Sequence, residues 1–540
     1  MKVGCKQRCS GSEILTGPLL TTFLIGLTTI LLLYWFFTKN HDYWKKYNIP
    51  VIKPLPLLGN VWDLTRLPMH EIEYERYFKY GPIFGYFEGT KPVLSVGDPV
   101  LVRDILVKDF TTFSSRRLLV TGNEVFDKML SSLKGDEEWK RIRAIVTPTF
   151  TTGKIKRMLS IFKDCSNTLT KNFRTLSAEG KYIDAKSLYG AFTMDIIASS
   201  AFSTKIDSHN DPENKFVTTA KRVFTQTLNF RTLLFFSAPW LVKLLKLPFF
   251  PMETMNFFSD VTLEIIQERK RTGQVRNDFL QLLMDTAKEV EDDIKEEGAD
   301  IASNYGGQED INPHIFKSVT SKSLSRNELV AQCVIFFIAG YDTTASTLSL
   351  ASYFLALNPD VQEKVRAEVD EALKESDGEL TYEAVKSMKY LDNIISETLR
   401  LYPPISRLER SADTDYKLKN TEITLRKGML VSVPIYGMHR DPNFYPDPEK
   451  FDPDRFTPEE KAKRDPYVYL PFGAGPRNCV AMRFALMEVK VCLAHVIASF
   501  TIKTCPETKV PLEFNLGHGL LQPQGIILQM DVREDCLLTK

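Results

Sequence analysis

The stretch PFGAGPRNCV, residues 471–480, decides what this chain folds around, because one cysteine, Cys479, closes a loop rich in glycine and proline. A helical, apolar pattern, AMRFALMEVKVCLAHVIASF, follows at once. Gly473 and Gly475 permit a tight turn that can direct backbone N–H groups at the sulfur. The positive end of the next helix would lie beside it, and both effects favour thiolate over thiol. The loop therefore meets the requirements of a thiolate metal ligand.

This loop resembles the haem-binding signature of the cytochrome P-450 family, which has a Phe, two residues, a Gly and an Arg two positions before the Cys. Phe472, Gly475, Arg477 and Cys479 occupy those positions. The resemblance implies that Cys479 is the axial ligand of haem b iron, that Phe472 shields the sulfur and that Arg477 faces a haem propionate. Ala481 stands where the family usually has Gly, and a methyl group fits there if the backbone is helical.

The composition argues against a nucleic-acid-binding protein, a disulfide-stabilised protein and a zinc protein. The chain has 540 residues, with 69 Lys+Arg against 68 Asp+Glu and a formal charge of +1, which gives no argument for nucleic-acid binding. Eight cysteines without a C-x-x-C pair indicate neither a disulfide scaffold nor a zinc site. None of the seven histidines pairs with another at metal spacing, and His495, in the apolar helix after Cys479, is interpreted as a core residue.

An uncharged apolar stretch at residues 14–37 predicts a membrane anchor within residues 1–38. A helix of about 24 residues crosses a ~30 Å hydrocarbon core with some tilt. Tyr34 and Trp35 lie at one end, as interfacial aromatic residues do. The alternative is a cleaved signal peptide, but the stretch is too long for one and no small-residue cleavage site follows.

Both flanks of the anchor are basic, so charge does not fix its orientation. The family resemblance implies a lumenal N-terminus, a cytosolic catalytic domain and the endoplasmic reticulum membrane. Residues 39–60 are predicted to form a stiff proline-rich linker that ends in a turn at Gly59-Asn60. They resemble the family's proline-rich hinge.

Residues 61–540 are predicted to form one haem-thiolate catalytic domain of the α+β class, mainly α-helical with small sheets, as in the cytochrome P-450 fold. The alternating pattern PIFGYFEGTKPVLSVGDP, residues 82–99, predicts a β-hairpin around Gly89-Thr90. The charged and then Gly/Asn/Ser-rich residues 288–324 predict a surface loop.

The sequence SRNE at 325–328 predicts a capping box at the start of a helix that is apolar almost all round and therefore buried. The hexapeptide AGYDTT, Ala339–Thr344, puts polar groups into this helix, where they are costly unless used or bonded. A threonine hydroxyl there can bond the i−4 carbonyl and bend the helix. The hexapeptide matches the family's oxygen-activating motif, which implies that Asp342 and Thr343 deliver protons to dioxygen and that Ala339 approaches the haem.

Glu397 and Arg400, in ISETLRLYPP, are three residues apart on a predicted helix and can form an ion pair. Arg455, in FDPDRF, resembles the arginine that closes a Glu-Arg-Arg cluster beneath the haem in the family. Buried charges are tolerated only when they are paired and hydrogen-bonded. The resemblance implies that all three residues support the cysteine loop.

Two haem propionates need cations, and arginine binds carboxylates bidentately. Trp139 and Arg143, in GDEEWKRIR, match the family's tryptophan–arginine spacing on a helix. Arg116 in FSSRR and Arg410 in SRLER resemble two further propionate ligands. For each of these two taken alone, a solvated surface arginine is the alternative.

The substrate pocket is expected to be mostly apolar, which implies a lipophilic substrate. By position relative to the motifs, the residues near the distal face of the haem are Ser132, Leu133, Ile338, Ala339, Thr343, Ile405 and Leu520. Residues 229–252 are dense in Phe, Leu and Trp, among them Phe235, Phe236 and Trp240. We interpret this stretch as a roof that dips into the membrane, with ordinary core as the alternative.

No nucleotide-binding glycine motif or reductase module follows Cys479, so electrons must come from a separate protein. By resemblance this partner is the NADPH–cytochrome P-450 reductase, with cytochrome b5 as a second candidate. A basic docking face is predicted from Lys140, Arg141, Lys154, Lys156 and Arg157.

The sequence thus predicts a membrane-bound haem-thiolate monooxygenase that oxidises a lipophilic small molecule, a xenobiotic, a steroid or a fatty acid. It most resembles the animal, xenobiotic-oxidising microsomal members of the family. Two alternatives stay open: a same-fold peroxide isomerase like thromboxane synthase, and a non-catalytic membrane haem sensor. The presence of Asp342 and Thr343 favours the monooxygenase over both.

Overall fold

The computed structural model describes residues 18–539, except 118–122, 212, 225–229, 246, 248–251, 277, 287–322 and 517–518. The predicted surface loop at 288–324 lies outside the described residues but for its last two positions. The described chain is mainly helical with small sheets, which confirms the predicted α+β class.

The α-helices, in chain order, are α1 Pro18–Thr38, α2 Met69–Tyr80, α3 Pro99–Arg103, α4 Glu124–Asp127, α5 Glu137–Val146, α6 Thr152–Ala178, α7 Ala185–Phe202, α8 Lys215–Phe224, α9 Phe230–Ser237, α10 Pro239–Leu244, α11 Met252–Thr272, α12 Phe279–Thr286, α13 Arg326–Leu357, α14 Pro359–Glu375, α15 Tyr382–Ser387, α16 Lys389–Leu401, α17 Ile435–Met438, α18 Pro458–Ala462 and α19 Met482–Ser499. A π-helical segment, Asp104–Lys108, continues α3.

The strands are β1 Ile83–Glu88, β2 Lys91–Val96, β3 Ile183–Asp184, β4 Leu408–Ser411, β5 Tyr416–Lys417, β6 Thr424–Leu425, β7 Leu430–Val433, β8 Phe500–Lys503 and β9 Ile527–Val532. They form sheets of order β1-β2-β7-β4, β3-β9-β8 and β5-β6. In the first sheet β2 and β7 are parallel and the other neighbours antiparallel. β1 and β2 pair from Ile83 opposite Val96 to Glu88 opposite Lys91, which confirms the predicted hairpin.

Helix α1 is long and apolar enough to be a candidate membrane span over Leu20–Thr38, and its side chains from residue 20 to residue 36 are exposed rather than packed on the protein. Tyr34 and Trp35 are among these exposed residues, close to the end of the helix, as the sequence predicts for an interfacial position. The first residues of the predicted anchor, 1–17, lie outside the described part.

The proline-rich segment after α1 packs on the first sheet. Trp44 is fully buried, and its indole N–H donates to the carbonyl of Tyr86 at 3.3 Å. Ile52 N–H donates to the carbonyl of Gly85 at 3.0 Å. Gly59, at φ +61°, makes the predicted turn. These contacts tie the segment to β1, so its stiffness comes from docking as well as from its prolines.

Helix α13 runs through the largest hydrophobic core and begins at the predicted capping box. Ser325 accepts from the backbone N–H of Glu328, and the Glu328 carboxylate accepts from Ser325 N–H at 2.7 Å. The helix packs against α7, and a Cβ at Gly340 would lie 3.0 Å from Cδ1 of Ile197. Gly340 therefore permits the close approach of the two helices, a packing reason for a residue that disfavours helix formation.

Candidate active site

The cysteine loop makes two turns in the left-handed region, at Gly473 (φ +71°) and Gly475 (φ +70°). A Cβ at Gly475 would overlap the carbonyl oxygen of Leu106, so only glycine fits there. Cys479 N–H donates to the carbonyl of Phe472 at 2.9 Å and closes the loop. The predicted glycine-dependent turn is thereby confirmed.

The side chain of Cys479 is accessible, although residues 473–478 before it are buried. Burial deep in the molecule raises the pKa of the thiol, while the Ala481 backbone N–H, Arg143 and Arg116 act to lower it. Helix α19 starts directly afterwards, with Ala481 as its N-cap at φ −94°. Because this φ is negative, alanine causes no backbone strain where the family usually has glycine.

Arg477 ties the cysteine loop to residues 114–133. It donates from Nε to the carbonyl of Ser114 at 2.8 Å, from Nη1 to Leu130 at 3.3 Å and from Nη2 to Leu133 at 2.8 Å. Its guanidinium lies over the Trp139 ring, 4.2 Å from the centroid. The predicted propionate ligand thus also fixes the loop's position.

Trp139 and Arg143 share α5, one turn apart, as the sequence predicts. Arg143 binds Asn478 twice, from Nη1 to its carbonyl at 2.9 Å and from Nη2 to Oδ1 at 2.7 Å. Asn478 directly precedes the cysteine, so α5 holds the cysteine loop from one side. Sequence reasoning did not single out Asn478, although its place beside Cys479 was a usable signal.

Arg116 and Arg410 lie in the same charged region. Arg116 Nη2 donates to the carbonyl of Arg477 at 2.9 Å. Arg410 is almost fully buried, donates from Nη1 to the carbonyl of Glu409 at 2.9 Å, and its Nε has no hydrogen-bond partner in the described part of the chain. A buried guanidinium with an unused donor needs an acceptor.

Four arginines therefore converge near Cys479 and repel one another: Arg116, Arg143, Arg410 and Arg477. Burial, together with the other three arginines, lowers the pKa of Arg477 to about 8. Burial lowers the pKa of Arg410 to about 9 and that of Arg143 to about 10, with Arg116 adding to both. Burial also lowers the pKa of Arg116. Such a cluster fits a dianionic group, and the two propionates of haem supply that charge.

Glu397 and Arg400 form a bidentate ion pair, with both side chains fully buried. Arg400 donates from Nε and Nη2 to the two carboxylate oxygens, each at 2.7 Å. Arg455 Nε lies 3.5 Å from Glu397 Oε1, and Asp452 N–H donates to the same oxygen at 2.9 Å. The structure thus brings together the three residues of the predicted cluster.

Arg400 also donates from Nη1 to the carbonyl of His439 at 2.8 Å. The imidazole of His439 is fully buried; its Nε2 accepts from Leu470 N–H at 2.9 Å and its Nδ1 lies 3.1 Å from the Arg400 carbonyl. A neutral ring with its proton on Nδ1 satisfies both contacts. Burial, and after it the charge of Arg400, lowers the pKa of His439 to about 3. Leu470 begins the turn into the cysteine loop, so the histidine connects the ion pair to that loop.

Acidification below pH 6.5 is expected to destabilise the protein partly through His439. The unfolded histidine binds a proton near pH 6.5, whereas the native one does so only near pH 3. The stabilising contribution is therefore complete above pH 6.5 and is lost as pH falls, at about 1.4 kcal/mol per pH unit. The free energies of unfolding at pH 7 and pH 5 should differ less in His439→Gln than in the wild type. An unchanged difference would contradict this assignment.

On α13, part of the AGYDTT motif is accessible although the helix lies in the core. Ala339 is exposed and Ile338, Gly340 and Thr343 are half-buried, whereas most of the helix is buried. The Thr343 hydroxyl donates to the carbonyl of Ala339 at 2.7 Å, the back-bond that the sequence predicts. The side of the helix that carries Ala339 and Thr343 is therefore accessible rather than covered by packed side chains.

Asp342, the other predicted proton donor, is buried and held by two side chains. Lys186 Nζ, from α7, donates to Oδ1 at 2.7 Å, and Gln522 Nε2 donates to Oδ2 at 3.3 Å. Lys186 also donates to the Ser346 hydroxyl at 2.5 Å. Sequence reasoning missed Lys186 and Gln522, which are 156 and 180 residues away from Asp342 in the chain.

The predicted pocket residues come from three parts of the fold. Ile405 and Leu520 pair in a β-bridge; Ile405 is 40% exposed and Leu520 half-buried. Ser132 is half-buried. Leu133 is buried in the core, and its carbonyl binds Arg477, so its contact with the cysteine loop is through the backbone.

A second buried charge network lies beside the first sheet. Arg117 donates from Nε to Glu409 at 2.8 Å and from Nη1 to Glu88 at 2.6 Å. Arg407 contacts Glu409 at 2.8 Å and donates to Glu73 at 3.1 Å. The pairs of Arg117 with Glu88 and Glu409, and of Arg407 with Glu73, join segments that are distant in the sequence, so no local pattern predicted them.

The predicted roof is only partly exposed. In α9, Phe235 is buried at 8% exposure and Phe236 is half-buried. In and after α10, Trp240 is 56% exposed, Leu244 70% and Leu245 54%. The exposed apolar surface thus comes from α10 and the residue after it, not from Phe235.

The predicted basic face is partly neutralised. Lys140, Arg141 and Lys156 each pair with a glutamate. Lys154 is half-buried and Arg157 exposed, and neither forms an ion pair with any described residue. The accessible positive charge of this surface lies mainly at Arg157.

Comparison with known proteins agrees with this geometry. The family model for cytochrome P450 matches residues 49–530. The chain is 37% identical over 537 residues to cytochrome P450 3A25 of Mus musculus, covering 97% of this chain and 99% of that protein. Identity to cytochrome P450 3A5 of Homo sapiens is 38% over 532 residues, covering 97% and 99%. Cytochrome P450 3A18 of Rattus norvegicus is 37% identical over 530 residues, covering 97% and 100%. With the predicted resemblance confirmed over nearly its whole length, this chain belongs to the cytochrome P450 family.

Proposed function

We propose that this cytochrome P450 monooxygenase transfers one oxygen atom of dioxygen to a lipophilic small molecule, such as a xenobiotic, a steroid or a fatty acid. The observation that carries the proposal is an accessible Cys479 at the start of α19, beside a group of four arginines, none of which forms an ion pair with an acidic side chain in the described part of the chain. Haem, the cofactor of the family, supplies the iron at which dioxygen is reduced.

The residues proposed to hold the haem fall into two groups: one at the iron and one at the propionates. Cys479 would ligate the iron, and the Ala481 N–H favours negative charge on the sulfur. The propionates would be bound by four arginines, Arg116, Arg143, Arg410 and Arg477. The guanidinium of Arg477 is held over the Trp139 ring by a cation–π contact. Phe472 would screen the sulfur from water.

Thr343 and Asp342 are proposed to control proton delivery. The Thr343 hydroxyl borders the open side of α13, and its proton is engaged by the Ala339 carbonyl, which leaves its oxygen as an acceptor. Asp342 is adjacent in sequence and is connected to the partly exposed Lys186, a route by which protons can reach the interior. Ile338, Ala339, Ile405 and Leu520 supply mostly apolar surface for the substrate.

The reaction class can be tested with labelled oxygen. Purified protein, NADPH, a reductase and a steroid or fatty-acid probe are incubated under ¹⁸O₂, and products are analysed by mass spectrometry. We expect one labelled oxygen atom in the product and a strict requirement for NADPH. Conversion of a lipid peroxide without NADPH would instead favour the isomerase, and spectral binding without any product would favour the sensor.

Electrons are proposed to come from NADPH–cytochrome P450 reductase, with cytochrome b5 as an additional donor, through the surface around Arg157. Because this contact would be electrostatic, its rate should fall as ionic strength rises. We expect Arg157→Glu to slow reduction of the haem by the reductase, measured by stopped flow, more than Lys205→Glu does on a separate exposed site. Equal rates in both variants, or no salt dependence, would contradict this docking surface.

The protein is proposed to reside in the endoplasmic reticulum membrane, with α1 as a single-pass anchor and the catalytic domain in the cytosol. Trp240, Leu244 and Leu245 would add a second membrane contact, since large exposed apolar groups favour lipid. In a form without residues 1–38, their joint replacement by serine should reduce sedimentation with phospholipid vesicles. Val532→Ser, at a separate exposed apolar residue, is the control. Unchanged sedimentation of the triple variant would contradict the contact.

A further inference from the structure

The two donors that hold the Asp342 carboxylate differ in strength. Lys186 makes a charged contact of 2.7 Å to Oδ1, and it is anchored on α7, which packs along α13. Gln522 is an uncharged donor, and its contact of 3.3 Å to Oδ2 is near the upper limit for a hydrogen bond. A small displacement would therefore break the glutamine contact first.

Gln522 lies in an irregular segment, not in a helix. Leu521 N–H donates to the carbonyl of Pro404 at 3.0 Å, and Gln522's own carbonyl accepts from Asn515 N–H at 3.0 Å. The segment is thus attached by a few backbone bonds on each side. Its position is set less firmly than that of Lys186, because no helix or broad sheet fixes it.

The same segment carries part of the proposed substrate wall. Leu520, two residues before Gln522, pairs with Ile405 in a β-bridge, and both side chains are partly accessible. A molecule that presses on this pair also presses on the backbone that positions the Gln522 amide. One short segment therefore connects the substrate wall to the proposed proton donor.

We propose that Gln522 is a positioning residue that couples substrate contact at Leu520 and Ile405 to the orientation of the Asp342 carboxylate. With the glutamine bond formed, the carboxylate is fixed between two donors. When the segment shifts, Oδ2 is released and the carboxylate can turn about its bond to Lys186 towards the Thr343 side of the helix. The inference rests on the proposed role of Asp342 in proton delivery.

Gln522→Leu removes the donor at similar size, and Gln522→Asn keeps the amide but shortens its reach. Gln524→Leu is the matched control, because that glutamine lies on the same segment and donates to the Phe514 carbonyl at 3.5 Å instead. For each variant the reduced carbon monoxide spectrum reports correct folding with haem. Product and hydrogen peroxide formed per NADPH then report how well proton delivery is coupled to oxidation.

We expect Gln522→Leu to change the ratio of peroxide to product by about two- to tenfold, the range set by the loss of one long hydrogen bond from an uncharged donor. The affinity for substrate, measured from the substrate-induced shift of the Soret band, should change by no more than the same factor, because the coupling between the two contacts is reciprocal. In an Asp342→Asn background the added substitution should have no further effect on the ratio. Gln522→Asn should fall between Gln522→Leu and the wild type.

A double-mutant cycle in thermal unfolding gives a readout independent of turnover. If the contact exists, the changes in Tm caused by Gln522→Leu and Asp342→Asn are not additive. Additive changes, or a Gln524→Leu variant that matches Gln522→Leu, would overturn the inference. If Asp342→Asn leaves the peroxide ratio unchanged, the proposed role of Asp342 fails instead; if it alters the ratio and Gln522→Leu does not, only the coupling fails.

Discussion

Cys479→His is expected to lose the strongly red-shifted Soret band that the dithionite-reduced, carbon monoxide-bound wild type should show. The thiolate donates electron density to iron, and an imidazole cannot reproduce that donation. The loop that presents the sulfur is tight, since Gly475 packs against the Leu106 carbonyl and Cys479 N–H binds the Phe472 carbonyl. Monooxygenation in the variant should fall to background.

Cys505→Ser is the matched control, because that cysteine is partly buried on another surface, after β8, and should not alter the band. Wild-type protein with haem but with a band at the ordinary imidazole position would mean that Cys479 is not the working ligand. In that case the proposed mechanism would have to be abandoned.

Glu397→Gln is expected to prevent haem incorporation and to destabilise the fold by about 3–5 kcal/mol, the cost of leaving one partner of a buried ion pair uncompensated. Burial by itself would lower the pKa of Arg400, yet the two hydrogen bonds and the charge of Glu397 raise it. Without the carboxylate, a fully buried guanidinium remains without a counter-charge, and the single amide oxygen of glutamine replaces two oxygens that together accept from Arg400 and from Asp452 N–H.

The measurement is the yield of carbon monoxide-binding haem protein together with thermal unfolding. Glu383→Gln provides the comparison, since Glu383 pairs with Lys156 on the surface with 71% of its side chain exposed. That pair should contribute at most about 1 kcal/mol. Normal haem content and an unchanged Tm in Glu397→Gln would show that the buried pair does not support the loop.

Local features of the fold followed from the sequence because they depend on neighbours in the chain. The capping box at Ser325 and Glu328 and the hairpin of β1 and β2 are short-range devices, and both formed as predicted. The turn at Gly473 and Gly475 belongs to the same group, because it requires a backbone conformation that few residues other than glycine adopt.

Burial could not be predicted residue by residue in the same way. Phe235 and Trp240 come from one apolar stretch, yet Phe235 is buried and Trp240 is 56% exposed. Trp44, in a segment predicted to be a connector, is fully buried against β1. Composition indicates that such residues avoid water, but only packing decides whether protein or another surface covers them.

The sequence by itself determined the family, the proposed ligand cysteine, the buried helix with its AGYDTT motif and the candidate membrane span, because each is encoded in a contiguous pattern. The tertiary structure alone decided how charges are paired: Lys186 and Gln522 on Asp342, Arg116 on the Arg477 carbonyl, and Asn478 on Arg143. The physical reason is that a buried charge must find a partner within hydrogen-bonding distance, and folding brings that partner from anywhere in the chain.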